Sequence, residues 1–294
     1  MMPNVIAIVG PTGVGKTKYS IALATHLNAE IISCDSMQFY RGLDIGTAKI
    51  SKPEMQGIPH HLLDILNPEE EFSVAEYQRV VRQKIEELLA QDITPILVGG
   101  SGLYISSVLY NYQFKDEKRN EEEPIDLTDK SLEELVEMLE FKSPKLANKT
   151  DLDNRRRVLR ALEKEENDLD TQGNKLYYKG AKIIGFEMDR TLLYERINKR
   201  VDLMIEKGLL EEAKQLFDKH IHTQATMAIG YKELFEYFEG RNSLDESIEL
   251  IKRNSRRYAK RQMTWFKNKM NCFWINVDFD NYDAIIEEVI SYSI

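Results

Sequence analysis

The sequence predicts an α/β fold, a P-loop doubly wound parallel sheet core with a helical insertion domain. Three observations predict it. Residues Gly10-Pro11-Thr12-Gly13-Val14-Gly15-Lys16-Thr17 fit the phosphate-binding pattern G-x-x-x-x-G-K-[ST] at every fixed position. Short apolar runs alternate with longer stretches of helical periodicity along most of the chain. Residues 111–180 break that alternation, which divides the chain into a core of 1–110 with 181–294 and an insertion of 111–180.

The elements follow in order. Val5-Ile6-Ala7-Ile8-Val9 reads as a buried parallel strand entering the loop. Ser20, Leu23, Ala24 and Leu27 recur at helical spacing behind it. A strand, a glycine loop and a helix N-terminus aim backbone N–H groups and a positive dipole end at one spot, which suits a phosphate or diphosphate. Glu30-Ile31-Ile32-Ser33-Cys34 is the second strand and ends at Asp35. His60-His61 follows Pro59 in a loop, with no other ligands nearby to make a metal site. A helix spans Val74–Gln91, and Thr94–Val98 is a strand running into Gly99-Gly100. In the insertion, Asp116–Glu123 is an acidic run, Leu132–Phe141 and Asp153–Lys164 read as helices, and Asn167–Asn174 reads as a loop. No strand is expected there. Lys182–Phe186 and Cys272–Val277 complete the strands, and helices span Thr191–Lys219 and Ser243–Lys269. Ligands of such sheets sit beyond the carboxyl ends of the strands, so Thr12–Thr17, Asp35 and Gly99–Gly102 should share one crevice.

Composition narrows the function classes. The 294 residues are 42% hydrophobic without a long uncharged apolar segment, so no membrane span is expected. Two isolated cysteines and five scattered histidines form no metal cluster, and a reduced, cytoplasmic protein is expected. The net charge of −9 argues weakly against nonspecific nucleic-acid binding, because what counts is where charge sits. No apolar stripe is left unexplained, which favours a monomer.

Within the crevice, Lys16 is placed to reach phosphate oxygens and the Thr17 hydroxyl to ligate Mg²⁺. Asp35 suits a metal ligand, a general base or a turn residue. The third strand ends in Gly99-Gly100-Ser101-Gly102 without the carboxylate many NTPases place there, which weighs against ATP hydrolysis. Arg196 and Arg200, at i and i+4, share a helix face and suit either a diphosphate clamp or a solvated surface. Arg155-Arg156-Arg157 and Arg160 form a basic cluster at a helix start. Ser243-x-x-Glu246 is a capping box opening the last long helix. Between Lys252 and Lys269 that helix has eight basic residues and no acidic one. Lys252, Arg256 and Lys260 make one row and Arg253, Arg257 and Arg261 another, with Ile248, Ile251, Tyr258 and Trp265 on the other side. Such segregation in an acidic protein suggests a polyanion surface, with phosphate contacts supplying affinity to RNA or DNA.

The chain resembles the bacterial tRNA dimethylallyltransferases, the isopentenyl transferases that modify adenosine 37. The resemblance rests on Gly10–Thr17, Asp35-Ser36-Met37-Gln38 and its continuation to Lys49, Pro59–Asp64 and Val98–Tyr104. It continues through Arg155–Glu163, Ala228–Lys232 and Tyr258–Phe266. It implies that Gly10, Thr12, Gly13, Val14, Gly15, Lys16 and Thr17 hold the diphosphate of dimethylallyl diphosphate, with Mg²⁺ on Thr17. It implies Asp35 as general base on adenine N6, Ser101 where the family usually has threonine, and Arg200 stabilising the leaving diphosphate. It assigns tRNA contacts to Asp35, Ser36, Met37, Gln38, Arg156, Arg157 and Arg160. The anticodon stem-loop is the expected partner, to which the basic stripe adds Arg256, Arg257 and Lys260. The family's usual glutamine is Arg156 here. The resemblance implies, as targets, tRNAs reading codons that begin with U. The rival readings are an ATP-dependent small-molecule kinase, a nucleotide-switched RNA-binding protein and an adenylate isopentenyltransferase.

Overall fold

The computed structural model describes residues 5–114, 127, 129–163, 171–221 and 223–294. In chain order the elements are β1 (Ile6–Val9), α1 (Lys16–Leu27), β2 (Ala29–Ser33), β3 (His60–His61), α2 (Val74–Leu89), β4 (Thr94–Gly99), α3 (Gly102–Leu109), β5 (Tyr110–Gln113), α4 (Leu132–Lys142), α5 (Pro144–Ala147) and α6 (Arg155–Glu163). There follow β6 (Thr171–Leu176), β7 (Lys182–Glu187), α7 (Arg190–Glu206), α8 (Leu209–Asp218), α9 (Tyr231–Phe238), α10 (Leu244–Lys269), β8 (Phe273–Asn276), a 3₁₀ turn (Phe279–Asn281) and α11 (Tyr282–Ser293).

Six strands form one sheet in the order β3-β2-β4-β1-β7-β8, with every pairing parallel. Central β1 places Ile6 opposite Ile96 of β4 and Lys182 of β7. Alternate residues feed opposite faces, which is why the strands read as unbroken apolar runs. Ala7, Val9, Ile32 and Leu97 pack with α2, α3 and Phe266 of α10. Ile6, Ile8, Ile31, Ile96 and Ile184 pack with α1, Leu193 and Ile197 of α7, and Ile285 and Val289 of α11. A separate apolar cluster joins α8, α9 and the first turns of α10 to Tyr40 and Leu43.

The chain divides into two compact units, Met1–Asn111 with Asn174–Ile294, and Tyr112–Gly173. The second has its own small core of Leu135, Leu139, Leu146, Val158 and Leu162. Ser131 caps α4 through a reciprocal box with Glu134. Lys142 Nζ donates to the Leu162 carbonyl at 2.5 Å, tying α4 to α6.

Four sequence expectations need correction. Thr191–Lys219 is two helices, because Gly208 adopts φ +101° and so ends one and starts the next. His60-His61 is a two-residue edge strand paired with Ile31 and Ile32, not a loop. The insertion is not purely helical: β5 and β6 pair as a two-stranded ribbon that carries the chain out and back. The expected Asn167–Asn174 loop therefore gives way to strand from Thr171 onward. The acidic run, residues 167–170 and Lys164 lie outside the described residues.

Candidate active site

The loop between β1 and α1 closes around its own lysine. Lys16 Nζ donates to the carbonyls of Gly10 at 2.9 Å and Pro11 at 2.8 Å. Burial lowers its pKa to about 8, against the nearby Asp35 carboxylate and with the help of the Arg200 charge. Gly15 sits at φ +100° as the residue before α1, and a Cβ there would lie 2.8 Å from Phe279 Cζ. Thr17 is exposed on the first turn of α1, beyond the half-buried Gly13 and the buried Val14.

Asp35 follows β2, one strand removed from β1 across β4. Its Oδ1 accepts from Met37 N–H at 3.1 Å, an Asx turn that holds the carboxylate in place. Burial raises its pKa above the usual carboxylate range, while the Met37 N–H, Lys16 and Arg200 pull the other way. Arg200 enters from the middle of α7. Burial lowers its pKa, and the Asp35 charge opposes that shift. Lys16, Asp35 and Arg200 therefore act on one another electrostatically.

Ser101 precedes α3, and its Oγ accepts from Ser36 N–H at 3.4 Å. Ser36, Met37 and Gln38 are half-buried. Gln38 accepts from Ser33 Oγ at 3.3 Å and donates to the Thr47 carbonyl at 3.3 Å. Much of the long Asp35–Lys49 block is scaffold. Lys49, with 5% of its side chain exposed, reaches the Tyr40 carbonyl, Asp44 and Asp64. The Glu212 carboxylate accepts from the N–H groups of Asp44, Ile45 and Gly46 and from the Tyr231 hydroxyl.

Arg196 and Arg200 of α7 separate in role. Arg196 turns outward, donating from Nε to the Gly13 carbonyl at 3.0 Å and stacking 3.9 Å over Phe279. It braces the loop, while Arg200 faces the cleft charges.

On α10 the basic rows also differ. Lys252 pairs with Asp202 and Glu249, and Arg256 donates to Asn198 at 2.5 Å, so these two residues are engaged with their own protein. Arg253, Arg257, Lys260 and Arg261 are exposed. Arg257, Lys260, Arg261 and Lys269 line a groove of about 540 Å³ with Thr264 and Trp265. In the smaller unit Arg157 pairs with Asp151 at 3.0 Å and Arg160 is exposed, whereas the Arg156 side chain lies outside the described residues.

Two residues of α10 join this site without a sequence signal of their own. Tyr258 lies beside Ser101 and Gln262, and burial, with Asp35 adding to it, pushes its phenol up to about 12. Gln262 accepts from Thr12 N–H at 2.8 Å and donates to the Gly100 carbonyl at 3.0 Å. Both lie in the Tyr258–Phe266 segment, but helical spacing alone puts Tyr258 with the packing face.

A family model described as IPP transferase matches residues 38–269. The chain belongs to the IPP transferase family. Relatives agree over nearly the full length. A "tRNA dimethylallyltransferase" of Bacillus cytotoxicus is 50% identical, covering 93% of this chain and 90% of its own. One of Bacillus anthracis is 51% identical, covering 93% and 91%. The crystal structure of a full-length tRNA isopentenylpyrophosphate transferase from Bacillus halodurans aligns with TM-score 0.74 at 46% identity, covering 98% of this chain and 96% of that one. A eukaryotic dimethylallyltransferase acting on tRNA aligns with TM-score 0.81 at 26% identity, covering 97% of this chain and 77% of that one. For a member of this family, the P-loop core and six-stranded parallel sheet are the expected architecture.

Proposed function

We propose that this IPP transferase moves the dimethylallyl group of dimethylallyl diphosphate to N6 of adenosine 37 in tRNAs reading codons that begin with U. The observation that carries the reading is the mutual electrostatic influence of Lys16, Arg200 and Asp35, with Lys16 and Asp35 beyond the carboxyl ends of β1 and β2. Two cations stand where a diphosphate would gather charge, and a carboxylate of raised pKa stands beside them. The strand that carries a metal carboxylate in many NTPases ends here in Gly99-Gly100, which favours diphosphate as leaving group over ATP chemistry.

In this reading the N6 lone pair attacks C1 of the allyl group. The C1–O bond breaks, and its electron pair leaves with the diphosphate. Asp35 accepts the proton from N6, within reach because base and leaving group flank one carbon. Lys16, Arg200 and the loop amides stabilise the charge that grows on the departing oxygens. The Thr17 hydroxyl, exposed at the first turn of α1, would serve as an oxygen ligand to a magnesium ion. Such an ion supplies further neutralisation of the diphosphate. Adenine in an anticodon loop is stacked, so it must leave the stack to reach Asp35. The exposed row Arg253, Arg257, Lys260 and Arg261 offers phosphate contacts for the tRNA, and Arg157 and Arg160 offer more from the smaller unit.

The test is product analysis. The protein is incubated with Mg²⁺, dimethylallyl diphosphate and an unmodified tRNA carrying A36-A37, and the RNA is digested for mass spectrometry. Isopentenyladenosine at position 37, dependent on dimethylallyl diphosphate and not on ATP, is the expected result. Absence of that product with ATP consumed by a small acceptor would return the chain to the kinases.

A further inference from the structure

Gln262 is 5% exposed, and its side-chain amide is committed at both ends. Oε1 takes the N–H of Thr12 in the P-loop, and Nε2 donates to the carbonyl of Gly100. Gly100 precedes Ser101, whose hydroxyl takes the N–H of Ser36, the neighbour of Asp35. A continuous path of polar contacts thus runs from the leaving-group cradle to the base. Tyr258, one turn earlier on α10, lies beside both Ser101 and Gln262. Gly100 has no room for a side chain here, since a Cβ would lie 2.1 Å from Gln262 Nε2.

We propose that Gln262 is a positioning residue whose amide sets the spacing between the P-loop and the Asp35 base. The proposal rests on the transferase reading. A primary amide accepts from an N–H and donates to a carbonyl at once, whereas a carboxylate lacks the donor and a thioether lacks the donor and accepts only weakly. The transfer needs nitrogen and departing oxygen on opposite sides of one carbon, and a misplacement of about 1 Å at such a centre costs on the order of 100-fold in rate. The Thr12 N–H is spent on this bond, which leaves the diphosphate to the amides from Gly13 onward. A merely structural strap would instead act through stability or substrate affinity.

The experiment compares wild type with Gln262→Met and Gln262→Glu in steady-state transfer, tRNA binding and thermal melting. The expected result is a kcat lower by about 10- to 100-fold, with KM for both substrates and the tRNA Kd within about threefold of wild type. Gly100→Ala strikes the same bond from its other end and should show the same split, so it carries the test if Gln262→Met does not fold. The Gln262→Ala/Gly100→Ala double variant has room for the added methyl and should be no slower than Gln262→Ala alone. A kcat within about twofold of wild type in folded variants, or a loss carried only by KM or melting temperature, overturns the proposal. Wild-type protein that makes no dimethylallylated adenosine overturns the transferase reading and this proposal with it.

Discussion

Lys16 and Asp35 set opposite limbs of the expected pH dependence. Asp35 acts as a base only when ionised, and burial raises its pKa, so transfer should fall with acidification earlier than an ordinary carboxylate would dictate. Lys16 attracts diphosphate only when protonated, and its pKa is lowered to about 8, so capture should weaken as pH rises through that value. The kcat/KM profile for dimethylallyl diphosphate should therefore be bell-shaped. Lys16→Arg should push the alkaline limb up, because a guanidinium stays charged. Asp35→Asn should lower kcat by about 10²- to 10⁴-fold while tRNA still binds. A flat alkaline limb in wild type, or full turnover in the Asp35 variant, would remove these roles.

At the scale of elements, α10 combines two jobs on one helix. Lys252 and Arg256 hold α7, Gln262 holds the loops of the cleft, and Arg253, Arg257, Lys260 and Arg261 face outward. Replacing these four by glutamine should lower tRNA affinity and flatten its salt dependence, by a log–log slope of about 0.7–0.9 for each phosphate no longer neutralised. Replacing Lys252 and Arg256 should leave that slope unchanged. Titration of tRNA binding across a salt series separates the two outcomes.

The division of labour on α10 also marks how far sequence reading reaches. The P-loop is legible because each fixed position answers a backbone or phosphate requirement within eight residues. The buried strands are legible from their apolar runs, to within a residue or two at their ends. The break at Gly208 is signalled by a glycine inside a helical pattern, yet the periodicity on either side hides it. Strand β6, Thr-Gln-Gly-Asn-Lys-Leu, has no apolar alternation, since it pairs in a ribbon rather than packing in the sheet. Gln262 is illegible for a different reason. Its partners lie 250 and 162 residues away, so only the packing of α10 against the glycine turn reveals them.

At the scale of the molecule, the smaller unit closes its own core and is joined to the larger by a strand pair. Leu135, Leu139, Leu146 and Val158 are covered within that unit, and the sheet's two faces are covered without it. Replacing residues 112–173 by a short glycine–serine linker should leave a cooperatively melting protein that still binds dimethylallyl diphosphate. Modification of tRNA should be lost, because Arg157 and Arg160 go with the excised segment. Calorimetric binding of the diphosphate next to a tRNA transfer assay reads both halves of this expectation. A truncated protein that modifies tRNA at the full rate would show the smaller unit to be dispensable.

The burial of Lys16 has a thermodynamic signature that no static contact displays. An ammonium poised at about 8 is only partly charged in mildly alkaline buffer, and an arriving diphosphate stabilises its charged form. Near pH 8, each binding event should then draw up to about half a proton from solution. The heat of complex formation would include the buffer's own ionisation. Titrations in buffers of different ionisation enthalpy should give a straight line whose slope counts that proton, and Lys16→Arg should bring the slope to zero.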